Sequence, residues 1–174
     1  MSSRDGLNFE RWVQAFVRPG PDPLRWTDRN NYPAWGMVAT SDQEISIYWT
    51  EHYRYPSHRL RRGTLRTDGF VSVNGGGDGG EVLTRPVTFS GSRLEINYST
   101  SAAGSIRIAL CDESGASYEG FGLADAEMLF GDEITHTVKW RGSEDVSALA
   151  GKPVRLRVRL KDADLYSFRF AQAE

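Results

Sequence analysis

Glu51-His52-Tyr53-Arg54 is the densest run of reactive side chains beside aromatics in this sequence. His52 suits acid or base work near neutral pH, and Glu51 precedes it. Glycoside hydrolysis needs two carboxyl groups, about 5 Å apart for retention and wider for inversion. Asp5, Glu44, Glu51, Asp68 and Asp78 are the acids to weigh for that role. Each also has a plainer reading as a turn former or a solvated strand face. Spacing names no second group positioned against His52, so a surface cluster where a strand exits is the plainer reading there too. Sugar binding without catalysis needs flat aromatic surface with a polar edge. Trp26, Trp35, Tyr53, Tyr55 and Tyr118 are the candidates, with Trp49 and Trp140 in the same stock. The competing expectation puts Trp49 and Trp140 in cores and makes Trp26 and Trp35 anchors of a proline-rich loop. Asp78, Asp162 and Asp164 are the oxygen donors to weigh for calcium. That ion takes about six to eight oxygens, so turn-forming Asp is the default and no cofactor is expected. Arg155, Arg157 and Arg159 offer a grip for an anionic polymer, or a solvated face with acids opposite.

These groups must be carried by strands. Val154, Leu156, Val158 and Leu160 alternate with Arg155, Arg157, Arg159 and Lys161, the period of two of a strand with one apolar face. After Asp162-Ala163-Asp164 the pattern resumes with Tyr166, Phe168 and Phe170, which predicts a β-hairpin with a turn at the Asp residues. Glu44–Glu51 alternates Ile45, Ile47 and Trp49. Arg59–Arg66 is arginine-rich on both faces and does not suit a dry core. Arg93–Ser99 and Ser105–Cys111 read as two strands joined by a loop, and Glu133–Trp140 as an imperfect one. Trp35–Thr40 is a short strand, and Leu123–Leu129 one helical turn. Residues 74 to 80 hold five glycines, so this loop must visit positive φ or lie against another backbone. Pro19, Pro21, Pro23 and Pro33 make the segment before the first strands a rigid irregular loop. From residue 69 onward about seven closely spaced strands predict an antiparallel β-sandwich, jelly-roll-like, rather than βαβ units.

The chain has 174 residues and a formal net charge of −2. That balance argues against a general nucleic-acid binder. No apolar run approaches the roughly 20 residues of a membrane-spanning helix, and no partner of either kind is expected. The single cysteine, Cys111, excludes an internal disulfide and reads as a small core residue on its strand.

The segments RPGPDPLRWTDRNNYP, SIYWTEHY, LRRGTLRTDGFVS, NYSTSAAGSIRIAL and WRGSEDVSALAGKPVRLRVRLKDADLYSFRF follow one another in the chain. Together they resemble the C-terminal part of a group of large bacterial proteins, glycoside hydrolases related to the invertase-like family 32 enzymes. The resemblance implies that residues 1–66 form the last blade of a five-bladed propeller and residues 67–174 an appended β-sandwich. A complete propeller needs roughly 40 to 50 residues per blade, most of which is not in this sequence. The early Asn-Asp-Pro nucleophile motif of the invertase-like enzymes is missing, and Arg4-Asp5-Gly6 only echoes their Arg-Asp-Pro. The implied role is therefore a non-catalytic accessory module that packs on a propeller, self-associates or binds carbohydrate. The alternatives are a small jelly-roll glycosidase or lyase with paired carboxylates, and a structural protein-interaction domain. A secreted parent hydrolase would place it outside the cell or in the periplasm, although MSSRDGLNFERW has no apolar stretch of the signal-peptide kind.

Overall fold

The computed structural model describes residues 1–3 and 5–173, so Arg4 of the Arg-Asp-Gly echo lies outside it. The chain divides into two compact units, Met1–Leu65 and Arg66–Glu174.

In the first unit, β1 (Ser2–Ser3) pairs with β2 (Phe9–Glu10), and β3 (Val38–Ala39), β4 (Glu44–Glu51) and β5 (Arg59–Arg66) form a three-stranded sheet in that order. Of the strand expected over Trp35–Thr40, only Val38–Ala39 pairs, opposite Ser46 and Ile45. The arginine-rich β5 lies at the sheet edge, where its side chains keep their water. The Trp49 ring lies against Gly63, so close that a Cβ there would meet it at 2.4 Å. The end of the proline-rich loop runs beside β4: Asn31 N–H donates to Thr50 O and Ala34 N–H to Tyr48 O, both at 2.8 Å.

The second unit is an all-β, antiparallel sandwich built on a curled sheet. Its strands are β6 (Val73–Gly75), β7 (Gly80–Leu83), β8 (Val87–Thr88), β9 (Arg93–Cys111), β10 (Asp132–Thr137) and β11 (Pro153–Ala171). β9 and β11 are each 19 residues long and pair along nearly their whole length. β10 flanks β9, while β6, β7 and β8 succeed one another along the other edge of β11.

Two sequence expectations are corrected here for one reason. Asp162-Ala163-Asp164 is not a hairpin turn, and the segment after Ser99 does not end a strand. The ladder shifts register between Lys161 and Ala163, opposite residues 100 to 105 of β9. Asp162 takes φ 44°, and Gly104 packs so tightly on it that a Cβ would lie 2.3 Å from the Asp162 carbonyl. This is a bulge: extra residues bend a strand without reversing it. A second shift falls between Leu165 and Ser167. The buried series on β11 is therefore Val154, Leu156, Val158, Leu160, then Ala163 and Leu165. A gap of three in a period-two pattern marks the bulge. Tyr166, expected on the apolar face, instead lies under the Arg66 guanidinium at 4.3 Å and beside the Ser99 hydroxyl.

The glycine-rich segment behaves as expected. Gly79 takes φ 79°, and a Cβ on Gly75 would meet Leu160 Cβ at 2.6 Å. The helical turn expected over Leu123–Leu129 does not form; Ala126 and Leu129 make isolated bridges to Trp140 and Ile106 instead. Those bridges bring Ala126, Leu129, Val138, Trp140, Val146 and Leu149 onto the core face of β9 and β11. Trp140 is buried and donates its indole N–H to Ile108 O at 2.8 Å. Cys111 is fully buried.

The opposite face of β9 is buried too, by polar means. Glu95 accepts from Arg93 Nε at 2.8 Å and from Arg169 Nε at 2.6 Å. Asn97 accepts from Arg66 Nε at 3.0 Å and Nη2 at 2.7 Å, and donates to Thr67 O. Buried polar groups persist only with such partners.

Candidate functional site

Among the described residues of Met1–Leu65, the buried side chains are Ser46, Glu51 and His52. All three are polar, and two stand at the exit of β4. Glu51 is 2% exposed and is held from three sides. Arg59 donates to its Oε2 at 2.9 Å, Trp49 Nε1 donates to Oε1 at 3.2 Å, and Arg25 Nη1 lies 3.3 Å from Oε1. Burial pushes the Glu51 carboxyl up, but the Arg59 and Trp49 hydrogen bonds and the two guanidinium charges outweigh it and hold the group below its ordinary range.

His52 has φ 56° and bridges two polar partners. Its Nε2 lies 2.7 Å from Asp22 Oδ2, and its Nδ1 lies 2.9 Å from Ser57 Oγ. An ionised carboxylate only accepts, so in the neutral ring Nε2 carries the proton and Nδ1 accepts the serine hydroxyl. The His52 hydrogen bond lowers the Asp22 pKa, helped by the Leu24 N–H and opposed by burial. Carboxylate, imidazole and hydroxyl in this order are the parts of an acyl-transfer relay. The remaining part is an oxyanion donor, and two backbone N–H groups of this turn are already engaged. His58 N–H donates to Tyr55 O and Tyr55 N–H to His52 O, both at 2.9 Å. The relay thus ties the proline-rich loop, which supplies Asp22, to the turn after β4.

The other acids stand apart from this cluster. Asp5 is exposed and closes a turn, accepting from the Asn8 and Leu7 N–H groups, from the Asn8 amide and from Ser3 Oγ; the Asn8 bonds lead in lowering its pKa. Glu44 pairs with Arg62 at 2.5 Å and accepts from Thr40 Oγ1. Asp68 takes φ 59° and accepts from Ser167 Oγ at 2.6 Å. Asp78 is exposed in the glycine-rich turn. Asp162 is exposed at the bulge, and Asp164 accepts from Ser72 Oγ and Asn74 Nδ2. Among the described residues no three His, Cys, Asp or Glu side chains converge as ligands around one point.

The aromatic candidates divide. Trp35 is fully exposed, which overturns the expectation that it anchors the loop. Trp26 is exposed along its ring while its indole N–H pins Gly20 O at 2.9 Å, so it does anchor. Tyr53 accepts from Arg29 Nη1 at 3.0 Å, and with Tyr32 and Thr50 these residues line an open depression of about 330 Å³. Tyr55 is half-buried. Tyr118 packs on the sandwich core and donates to Pro153 O at 3.4 Å. Sequence reasoning named Glu51 and His52 but not their partners Asp22, Arg25, Ser57 and Arg59. Asp22 is 30 positions from His52, and no periodicity links them.

The basic strand face also acquires a shape. Ser105, Arg107, Leu123, Ala124, Arg159 and Lys161 line an open depression of about 530 Å³ on the sandwich.

No protein-family model matches the chain, and no curated protein or solved structure matches it.

Proposed function

We propose that this chain is a non-catalytic accessory β-sandwich module of a glycoside-hydrolase-like protein, and that Met1–Leu65 packs against an apolar surface of a neighbouring domain of propeller type. One observation carries this reading. Among the described residues of Met1–Leu65 no hydrophobic side chain is buried, and this unit holds 13 of the 18 exposed large hydrophobics, including Val13, Phe16 and Trp35. A unit that leaves its apolar side chains in water is completed by another surface. The state of the carboxylates supports the non-catalytic part. A glycosidase needs an acid held protonated by a raised pKa, whereas Asp5, Glu51 and the Asp22 beside His52 are shifted downward by hydrogen bonds which, with the cations next to Asp22 and Glu51, outweigh burial.

A second reading, carbohydrate binding by the same unit, is favoured by the depression between Arg29, Tyr32, Thr50 and Tyr53, which sets two partly exposed phenols beside a guanidinium. Reducing-sugar release from fructans, plant-wall glycans and their oligomers tests the first reading. The chain alone is expected to release none, and robust hydrolysis would overturn it. Sedimentation and dye binding test the apolar surface: a monomer that takes up 8-anilinonaphthalene-sulfonate less well as Val13→Asp supports it.

A further inference from the structure

We propose that the depression between Arg107, Arg159 and Lys161 binds a carboxylate-bearing sugar, a uronate unit of an acidic oligosaccharide. This deepens the accessory-module reading and rests on it. Arg107 on β9 stands directly opposite Arg159 on β11, and Lys161 is opposite Ser105. Like charges facing each other across a ladder are destabilising, yet this pair lies in the one register that buries Ile106, Ile108, Val158 and Leu160 on the other face. Among the described residues the carboxylate that pairs with the row is Glu81 of β7, shared between Arg157 at 3.4 Å and Arg159 at 3.1 Å. Among the described residues neither Arg107 nor Lys161 has a carboxylate within ion-pair distance, so positive charge is left uncompensated at the rim of a concave surface.

The lining favours one anion chemistry. Arg107 is half-buried and its Nη1 donates to Leu123 O at 3.2 Å, which holds the guanidinium plane in place. A fixed guanidinium presents a fork that matches a carboxylate. Lys161 adds a mobile point charge, and Ser105 a hydroxyl for a ring hydroxyl. Leu123 and Ala124 wall the site and lower the local dielectric, which strengthens each ionic contact. Among the described residues no aromatic side chain lines the depression, so it lacks the stacking platform that single-stranded nucleic acids use and that neutral sugars need. Charge must supply the affinity.

Oligogalacturonate is the probe, titrated into the full chain at low salt with calorimetry and the Arg107 Nε–H resonance as readouts. The expected result is saturable binding that weakens as salt rises. Lys161→Gln and Arg107→Gln should each weaken it roughly ten- to a hundredfold. Lys161→Gln is the variant that leaves folding untouched, because the Lys161 ammonium makes no hydrogen bond or ion pair among the described residues and its backbone stays in the ladder. Neutral oligosaccharide of equal length should leave the Arg107 resonance unmoved. Absence of oligogalacturonate binding, or binding that both variants leave intact, overturns the proposal and leaves the accessory-module reading standing. Polyglutamate binding as tightly as oligogalacturonate overturns the assignment to a sugar. Binding followed by depolymerisation would instead overturn the non-catalytic reading and leave the site.

Discussion

At the scale of single residues, the buried pair Glu51 and His52 decides how the first unit holds together. With no buried hydrophobic side chain among the described residues there, the anchoring interactions are polar and ionic, and Glu51 is enclosed by Arg25 and Arg59. Arg59 is 46% exposed, so part of that attraction is screened by water. When Glu51 is shortened, the Trp49 indole N–H still loses its acceptor and Arg25 its counter-charge. Glu51→Ala is expected to destabilise the chain by about 2 kcal/mol, read as a lowered denaturant midpoint. His52→Ala should act in the same direction by removing both the Asp22 and the Ser57 bonds. The pH dependence has a definite sign. Glu51 and Asp22 both have folded-state pKa values below their unfolded ones. Their contribution is present above the unfolded carboxylate pKa, about 4, and is lost as pH falls through the folded value. Denaturant midpoints at pH 7 and pH 3 should differ in the native chain, and differ less in Glu51→Gln. Glu51 and His52 stood out in the sequence as a polar run. Asp22 and Ser57 did not, because Asp22 sits among prolines that read only as a rigid loop.

At the scale of elements, the long pair β9 and β11 carries the sandwich. Their apolar faces were legible from period-two spacing alone, since Leu94, Ile96 and Tyr98 and Val154, Leu156 and Val158 are all buried. Strand continuity was not legible. Asp and Gly terminate strands in turns, and the same residues accommodate the positive φ of a bulge. Asp162 at φ 44° makes the bend without reversing the chain. Asp162→Val is therefore expected to cost about 1–2 kcal/mol, the penalty of a left-handed conformation for a side chain branched at Cβ. Asp162→Gly should stay within about 1 kcal/mol of the native chain. Gly104 faces a harder limit, because the atoms nearest an added Cβ are the Asp162 and Lys161 carbonyl oxygens at 2.3 and 2.9 Å. Backbone cannot move aside as a side-chain tip can, so Gly104→Ala should cost about 2 kcal/mol or more. Thermal unfolding of the three variants measures all of these. A chain of this size should shift its Tm by roughly 2–4 °C per kcal/mol.

At the scale of the whole molecule, the two units differ in what stabilises them. Every buried hydrophobic side chain described lies in Arg66–Glu174, and Arg66 and Thr67 are bonded to Asn97 within that unit. Residues 66–174 expressed alone are expected to unfold cooperatively with dispersed amide resonances. Residues 1–65 alone should show neither, because polar clusters without an apolar core do not offset chain entropy. The sequence by itself determined the all-β antiparallel class and which side chains of β9 and β11 face inward up to the bulge, because the pleat is a local property with a period of two. Tertiary structure alone decided that Asp22, His52 and Ser57 meet, that Glu51 is enclosed by two arginines, and that Arg107 lies beside Arg159 in one depression. Each of those depends on register between segments far apart in the chain, and register is set by the whole buried face rather than by the residues that end up touching.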